Sequence, residues 1–525
     1  MNIDKDLLSI QEARDLSKRA KEAQLEFKHF SQDQVDRIVK AMADAGYAAA
    51  ERLAKMASEE SGFGKWQDKV VKNQFATKNV WESIKDLKSC GVVESLHNGK
   101  VLKIAEPMGV VAALIPSTNP TSTAMFKAII SLKCRNGIVA SPHPRTVNCT
   151  AEALKVVADA AEKAGAPKGL IQCLTTPTLE GTDALMHDKN IGVILATGST
   201  PMVKAAYSSG KPAYGVGSGN VPAFIEKTAN VKKAVQDIVY GTTFDNGTLC
   251  SSEQAMIVDR SIRDQAIKEA KAAGCYFVSA EEKKKLGNAI LNQGRINPEI
   301  VGKPATWIAK YAGFDVPDST TVLVAECEAV GKSEPLSYEK LSPILAFYTV
   351  DGWLEGCHKC IDLLQFGGVG HTMVIHSNDQ EVIMKFALEK PAFRILCNTV
   401  SSIGAVGYTT ALMPSLTLGP GTWGGSIISE NVSSKHLMNI KYLAFEVNPV
   451  NHGNSVSNMG DTITRSQSYL QEIEERLRAR AGNPVINEPF KGAQTSKPAE
   501  KKEEDAEPKT LSKAEIQKII DEFKF

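Results

Sequence analysis

The hydrophobic pattern divides the chain into three stretches of different character. From Asp4 to about Asn73, apolar residues such as Val39, Met42 and Ala43 recur at helical spacing between charged faces, with few turn residues. This predicts a helical entry. Val- and Ile-rich runs then alternate with helical stretches: Gly109–Ile115, Thr121–Lys133, Gly137–Ser141, Thr150–Ala164, Leu170–Leu174 and Ile191–Ala196. Such a βαβ series predicts a parallel sheet with helices on both faces. A second alternating series runs from about Pro222 to Leu418 and includes Ala255–Val258, Tyr276–Ser279, Ile344–Thr349, Met373–His376 and Arg394–Asn398. The expected fold class is therefore α/β, with two Rossmann-like lobes and a cleft between them.

The last part of the chain reads differently. A helix is expected at about 462–480, within an extension spanning 456–490. Residues 491–509 hold five Lys and five acidic groups and no aromatic or aliphatic β-branched residue, the composition of a solvated linker. Beyond it Ser512 and Glu515 form a capping box, Leu511 faces Ile516 as a staple, and Ile516, Ile519, Ile520 and Phe523 make one apolar stripe across 510–525. A helix this short is marginal alone, so docking of the stripe on another surface is expected. Folding back on the chain's own body is the alternative.

Composition narrows the partners. Over 525 residues, 61 Lys plus Arg against 60 Asp plus Glu leave a net charge of +1, which offers nucleic acid no footprint. No apolar run approaches the roughly 18 residues of a membrane span, and the opening MNIDKDLLSIQEARD has no apolar core of a secretory signal. Ten cysteines at irregular spacing read as reduced cytoplasmic thiols. Cys357 and Cys360 form a lone CxxC without a second pair, so no metal is assigned.

The candidate chemistry centres on Phe244–Gln254, FDNGTLCSSEQ. A turn of small polar residues leading into a helix would supply amides that favour a thiolate at Cys250. In IPSTNPTS, a strand end carries Asn119, whose amide can donate to an oxyanion alongside the Cys250 N–H. In LATGST, a buried strand runs into Gly198 and a helix, a junction that offers free amides to a pyrophosphate or nicotinamide. The run GVGSGN, residues 215–220, lacks the spacing of a full dinucleotide fingerprint and reads as a loop approaching the cleft, with Gly217 as a cofactor contact.

Five runs in order resemble the CoA-acylating aldehyde dehydrogenases, most closely the aldehyde dehydrogenase half of bifunctional alcohol/aldehyde dehydrogenases. They are Phe244–Gln254, IPSTNPTSTAMFKAIISLKCRNGIVASPHPR (115–145), MVKAAYSSGKPAYGVGSGN (202–220), GHTMVIHS (370–377) and GTWGGSIISENVSSKHLMNIK (421–441). The resemblance covers roughly residues 10–450 and implies an aldehyde dehydrogenase fold. Its parts would be a cofactor-binding lobe at 1–220, a catalytic lobe at 221–418 and a return to the first lobe at 419–455. A small β oligomerisation extension would begin near 88–108 and join subunits into a homodimer or homotetramer.

Carried over by position, the resemblance makes Cys250 the nucleophile and Asn119 its oxyanion partner. Gly198, Ser199 and Thr200 fall at the cofactor junction, Ser141 and His143 at the adenosine ribose and Glu339 at the nicotinamide ribose of NAD. His371 would lie near the thiol of coenzyme A. In hydrolytic relatives a Glu about 35 residues before the cysteine activates water. Here that position is Gly215, in a run without a carboxylate from Tyr214 to Phe224. The GGS at 424–426 departs from the GGN expected there, and no run in these 525 residues resembles the alcohol dehydrogenase half.

These features imply reversible oxidation of acetaldehyde or propionaldehyde to its acyl-CoA through a cysteine thioester. The 510–525 segment resembles an encapsulation peptide, which implies shell-protein partners and a place in a bacterial microcompartment. Hydrolysis to the carboxylic acid and a non-catalytic shell-binding scaffold stand as alternatives.

Overall fold

The structure is a computed structural model that describes residues 4–448 and Val450, all within the unit Met1–Gly482. The expectations for the helix near 462–480, the linker 491–509 and the segment 510–525 lie outside the described residues.

The entry is helical as its periodicity predicts: Lys5–Phe27, Gln32–Ala48, Ala50–Ser61 and Trp66–Gln74. Ser31 and Gln34 form a reciprocal capping box at the second helix. Its apolar face, Val35, Ile38, Val39 and Met42, is fully buried and packs against the helices Pro120–Lys133 and Val147–Lys163.

Five parallel strands make the first sheet, in the spatial order Ile171–Cys173, Gly137–Pro142, Val110–Ile115, Ile191–Thr197, Ala213–Val216. Both faces are covered, so the central strand is apolar throughout. Val111, Ala113 and Ile115 join the core built on Pro120–Lys133, whereas Val110, Ala112 and Leu114 join Ala13, Leu16 and Ala20 of the first helix. The chain leaves Val110–Ile115 to build one side of the sheet, then returns beside it with Ile191–Thr197 to build the other. That reversal opens a crevice at the C-terminal ends of these two strands, where α/β folds bind ligands.

Seven parallel strands make the second sheet, in the order Cys275–Phe277, Val322–Glu326, Ile344–Val350, Glu253–Asp259, Val221–Ile225, Gly370–His376, Ala392–Cys397. Periodicity placed five of these within a few residues. Val221–Ile225 and Val322–Glu326 carry short apolar runs that periodicity alone does not separate from buried helix.

A third, antiparallel sheet joins Gly91–Leu96, Val101–Pro107 and Met438–Ala444. His97, Asn98 and Gly99 take positive φ at its hairpin turn. Met438–Ala444 is an edge strand, and Tyr442 and Leu443 on it are exposed.

Candidate active site

Cys250 lies between a tight turn and a strand of the second sheet. After the helix Val231–Thr243, residues Asp245, Asn246 and Gly247 all adopt left-handed φ, of 49°, 52° and 72°. Glycine is required at the third, where a Cβ would lie 3.1 Å from the Ser342 backbone. The turn leads through Cys250 into the strand Glu253–Asp259. This corrects the sequence reading, which expected a helix whose N-terminal amides would hold a thiolate. Burial pushes the Cys250 thiol up to about 12, and the Glu339 charge adds to it. Arg394 and the amides of Cys250 and Ser251 pull the other way without overcoming the desolvation. The resting group is a thiol.

His371 is the partner of that thiol. The strand Gly370–His376 brings its Nε2 to 3.2 Å from Cys250 Sγ, with the ring fully buried. Burial, reinforced by the Arg394 charge, holds the imidazole far below its usual range, so it is neutral. Its Nδ1 is 2.9 Å from Thr372 Oγ1, which accepts a hydrogen bond from Arg394 Nε at 3.1 Å. Arg394 Nη1 also donates to the Ser429 carbonyl at 3.2 Å, fixing the guanidinium.

The GVGSGN loop packs directly on this pair. A Cβ at Gly219 would lie 1.8 Å from the Cys250 carbonyl oxygen and 3.1 Å from His371 Nδ1. The Gly219 amide donates to Glu339 Oε1 at 2.8 Å, and burial raises that carboxylate against the pull of its hydrogen bonds. Gly215, where a water-activating Glu was sought, lies in the first sheet. A Cβ there would meet Val203 Cγ1 at 2.5 Å and Tyr207 Oη at 2.8 Å, so any side chain would have to displace both.

Asn119 is half-buried at the start of the helix Pro120–Lys133. Lys72 Nζ donates to its Oδ1, and its Nδ2 lies 3.2 Å from Thr118 Oγ1. An ammonium has no acceptor, so it holds the oxygen end of the amide toward itself and leaves the N–H end to face elsewhere. The same Lys72 Nζ donates to Asp245 Oδ2, which also takes Lys69 Nζ at 2.9 Å and Thr248 Oγ1 at 2.7 Å. A buried ionic cluster therefore ties Asn119, at the start of its helix, to the turn before Cys250. Burial lowers Lys72 to about 8 despite the Asp245 charge.

The remaining candidates gather at strand ends of the first sheet. Gly198 and Ser199 follow Ile191–Thr197, and Ser199 begins the helix Thr200–Ser208 without a side-chain cap, leaving first-turn amides free. Gly217 belongs to the same place: a Cβ on it would lie 3.3 Å from Thr200 Oγ1. Ser141, at the end of Gly137–Pro142, is buried and 2.7 Å from Thr182 Oγ1. His143 is exposed, and its Nδ1 accepts from the Arg145 amide at 3.1 Å. The structure thus groups Cys250, His371, Gly219 and Glu339 on one side and Gly198, Ser199, Thr200 and Gly217 on the other. One loop, residues 215–220, carries both Gly217 and Gly219.

Residues 7–298 match the model of the aldehyde dehydrogenase family. The chain belongs to this family. It is 46% identical over 441 residues to the bifunctional aldehyde-alcohol dehydrogenase AdhE of Escherichia coli (strain K12), covering 83% of this chain and 50% of that protein. The chain thus spans about half the length of the curated relatives it matches. An acetylating aldehyde dehydrogenase from Geobacillus thermoglucosidasius superposes with a TM-score of 0.84 at 51% identity, over 85% of this chain and 99% of the other. A propionaldehyde dehydrogenase from the Clostridium phytofermentans fucose utilisation bacterial microcompartment superposes with a TM-score of 0.74 at 29% identity, over 82% and 96%.

Four residues at the site escaped the sequence reading. Lys69 and Lys72, three apart on Trp66–Gln74, look like a solvated helix face, yet both are buried. Arg394 sits inside a predicted strand and Thr372 just ahead of one, and nothing local marks them as neighbours of His371. Only the pairing of Gly370–His376 with Ala392–Cys397, Thr372 opposite Arg394, brings them together.

Proposed function

We propose that this chain is an NAD-dependent, CoA-acylating aldehyde dehydrogenase that oxidises a short-chain aldehyde, acetaldehyde or propionaldehyde, through a thioester on Cys250. The observation that carries the reading is the 3.2 Å contact between Cys250 Sγ and a neutral His371, beside a run, residues 214–224, that has no carboxylate to activate water.

His371 Nε2 takes the Cys250 proton as sulfur attacks the aldehyde carbonyl. The oxyanion is received by the Asn119 amide and the Cys250 N–H. Loss of hydride to the nicotinamide then leaves an acyl group on Cys250, and His371 releases its proton to solvent. With no carboxylate in residues 214–224 to activate water, the thioester waits for the thiol of coenzyme A. His371 accepts that thiol's proton, the new carbon–sulfur bond forms, the Cys250–acyl bond breaks, and Cys250 recovers the proton. Each step reverses through the same thioester.

The first sheet suits a dinucleotide: its crevice meets free helix amides at Ser199 and Thr200, and the bare Cα of Gly217 leaves space that a side chain would fill. Gly198, Ser199, Thr200 and Gly217 would hold the pyrophosphate and nicotinamide end, Ser141 and His143 the adenosine ribose, and Glu339 the nicotinamide ribose. When bound, NAD⁺ supplies the hydride acceptor.

Purified protein should produce NADH from two- to four-carbon aldehydes in a CoA-dependent manner, with acyl-CoA as product. Carboxylate formed at the same rate with or without coenzyme A would instead establish the hydrolytic alternative. Dehydrogenase activity retained by Cys250→Ala would sink the nucleophile assignment. An inactive wild-type protein that bound shells would favour the scaffold.

The exposed edge strand Met438–Ala444 supports a homodimer or homotetramer joined through the antiparallel sheet. The amphipathic pattern of residues 510–525 supports a cytoplasmic microcompartment as the place of action, with shell proteins as partners. Deleting those residues should leave turnover in solution nearly unchanged and abolish co-sedimentation with shell proteins.

A further inference from the structure

Away from the active site, the second lobe buries a lysine against a cysteine. Cys357 lies on the inner face of the helix Gly352–Gly367 and is fully buried. Lys390, just after the helix Gln380–Glu389, is 3% exposed, and its Nζ donates to Cys357 Sγ. On its other side the ammonium lies 3.9 Å from the Phe386 ring centroid. A lysine is almost never buried without a partner, and among the described hydrogen bonds Lys390 Nζ has only this sulfur. The Cys357 thiol also donates to Glu389 Oε2 at 3.4 Å. Glu389 is exposed, so its carboxylate reaches the sulfur from solvent, and the pair lies one side chain below the surface.

We propose that Cys357 and Lys390 form an oxidative cross-link in which one oxygen atom bridges Sγ and Nζ. Hydrogen peroxide is the oxidant. In the first stage the thiol proton passes to Glu389 and sulfur attacks one peroxide oxygen. The S–O bond forms, the O–O bond breaks, and the departing hydroxide leaves as water, giving a sulfenic acid. In that position its oxygen lies against Nζ. In the second stage the ammonium first gives up one proton to solvent; another peroxide then takes up two electrons as the N–O bond forms, while the amine nitrogen loses one proton, the sulfenic oxygen loses the other, and two waters leave. Overall, one thiol, one amine and two hydrogen peroxide give the S–O–N bridge and three waters. Sulfur and nitrogen each lose two electrons. Dithiols reverse the reaction, returning thiol, amine and one water.

The geometry sets this route against the usual fates of a cysteine. Cys360 is three residues along the same helix, but both cysteines are free and each packs into the second core. Of the two side chains hydrogen-bonded to Sγ, Lys390 and Glu389, only Lys390 offers a nitrogen that an oxygen added to sulfur can bridge to. The bridge would pin Gly352–Gly367 to the segment that enters Ala392–Cys397, the strand carrying Arg394. Redox state would then change the rigidity of the lobe that holds His371.

Peptide mapping of the full-length protein tests this directly. After mild peroxide treatment, alkylation and digestion, the expected product is a cross-linked peptide joining Cys357 to Lys390. Its mass exceeds the sum of the two peptides by one oxygen less two hydrogens, and it disappears on treatment with dithiothreitol. The same species should be absent from Cys357→Ser and from Lys390→Arg, which keeps the charge. Recovery of Cys357 from oxidised wild-type protein as a free thiol, as a disulfide with Cys360, or as a sulfinic acid beside unmodified Lys390 would overturn the proposal. The wild-type measurement stands even where a variant fails to fold.

Discussion

His371 Nε2 stands 3.2 Å from Cys250 Sγ, both groups are neutral, and Thr372 Oγ1 fixes the far ring nitrogen from 2.9 Å. Thr372 already accepts from Arg394, and a second acceptor site on its oxygen remains for His371 Nδ1–H. In that tautomer Nε2 is free to accept the thiol proton. Replacing His371 by Ala should slow acylation and transfer to coenzyme A alike, by about 10²- to 10⁴-fold, as loss of a general base does. Single-turnover NADH formation and the rate of acyl-CoA release measure the two steps. An undiminished rate in both would remove His371 from the mechanism.

The same burial makes Cys250 a slow nucleophile toward external reagents in the absence of substrate. With its thiol pushed up to about 12, alkylation by iodoacetamide should be slow at neutral pH and rise steadily through pH 8 to 10 without a plateau. A plateau reached below pH 8 would mean that the site stabilises a thiolate after all.

Lys72 is expected to act through Asn119. Asn119→Ala removes a donor to the oxyanion and should cost about 10²–10³ in kcat. Lys72→Met should lower kcat in the same direction, because it releases the amide oxygen that the ammonium holds. In the Asn119→Ala background the added loss from Lys72→Met should be small. Fully multiplicative losses in the double variant would show that the two residues act separately.

Gly219 admits no side chain beside Cys250. In Gly219→Ala the new methyl would begin 1.8 Å from the Cys250 carbonyl oxygen, which belongs to backbone and cannot swing aside. The expected outcome is a lower melting temperature, equivalent to about 1–3 kcal/mol of overpacking, with turnover lost more steeply than stability. Thermal unfolding and kcat measured on one preparation separate the two effects.

Glu253 gives the stability a pH dependence. It is fully buried, Oε1 accepts the Ser401 amide at 2.6 Å, and Oε2 has no partner. Burial raises its carboxyl from 4.5 to about 8. The folded state therefore binds this proton more tightly than the unfolded chain. Its contribution is fully present below pH 4.5 and is lost as pH rises toward about 8, after which it changes no further. Urea midpoints from pH 5 to 9 should fall with this slope, and Glu253→Gln should flatten it. An unchanged slope in the variant would place the titration elsewhere.

The alternation of apolar runs with helical stretches determined by itself that two α/β layers exist, because burial of both sheet faces writes continuous apolar strands into the chain. It also singled out Cys250, Asn119 and the Gly198 junction, whose neighbours are small, polar or Gly- and Pro-bounded over a few residues. What lay near Cys250 was a matter for tertiary structure. His371 is 121 positions away, Lys72 meets Asp245 across 173, and Arg394 reaches Thr372 only through the register of two strands. The protonation of the nucleophile was equally out of reach, and the helix-N-terminal thiolate expected from local sequence proved to be a buried thiol ahead of a strand. Local pattern fixes backbone conformation because it depends on neighbours within a turn or a pleat. The charge state of a side chain depends on desolvation and on partners distant in sequence, which only the folded chain supplies.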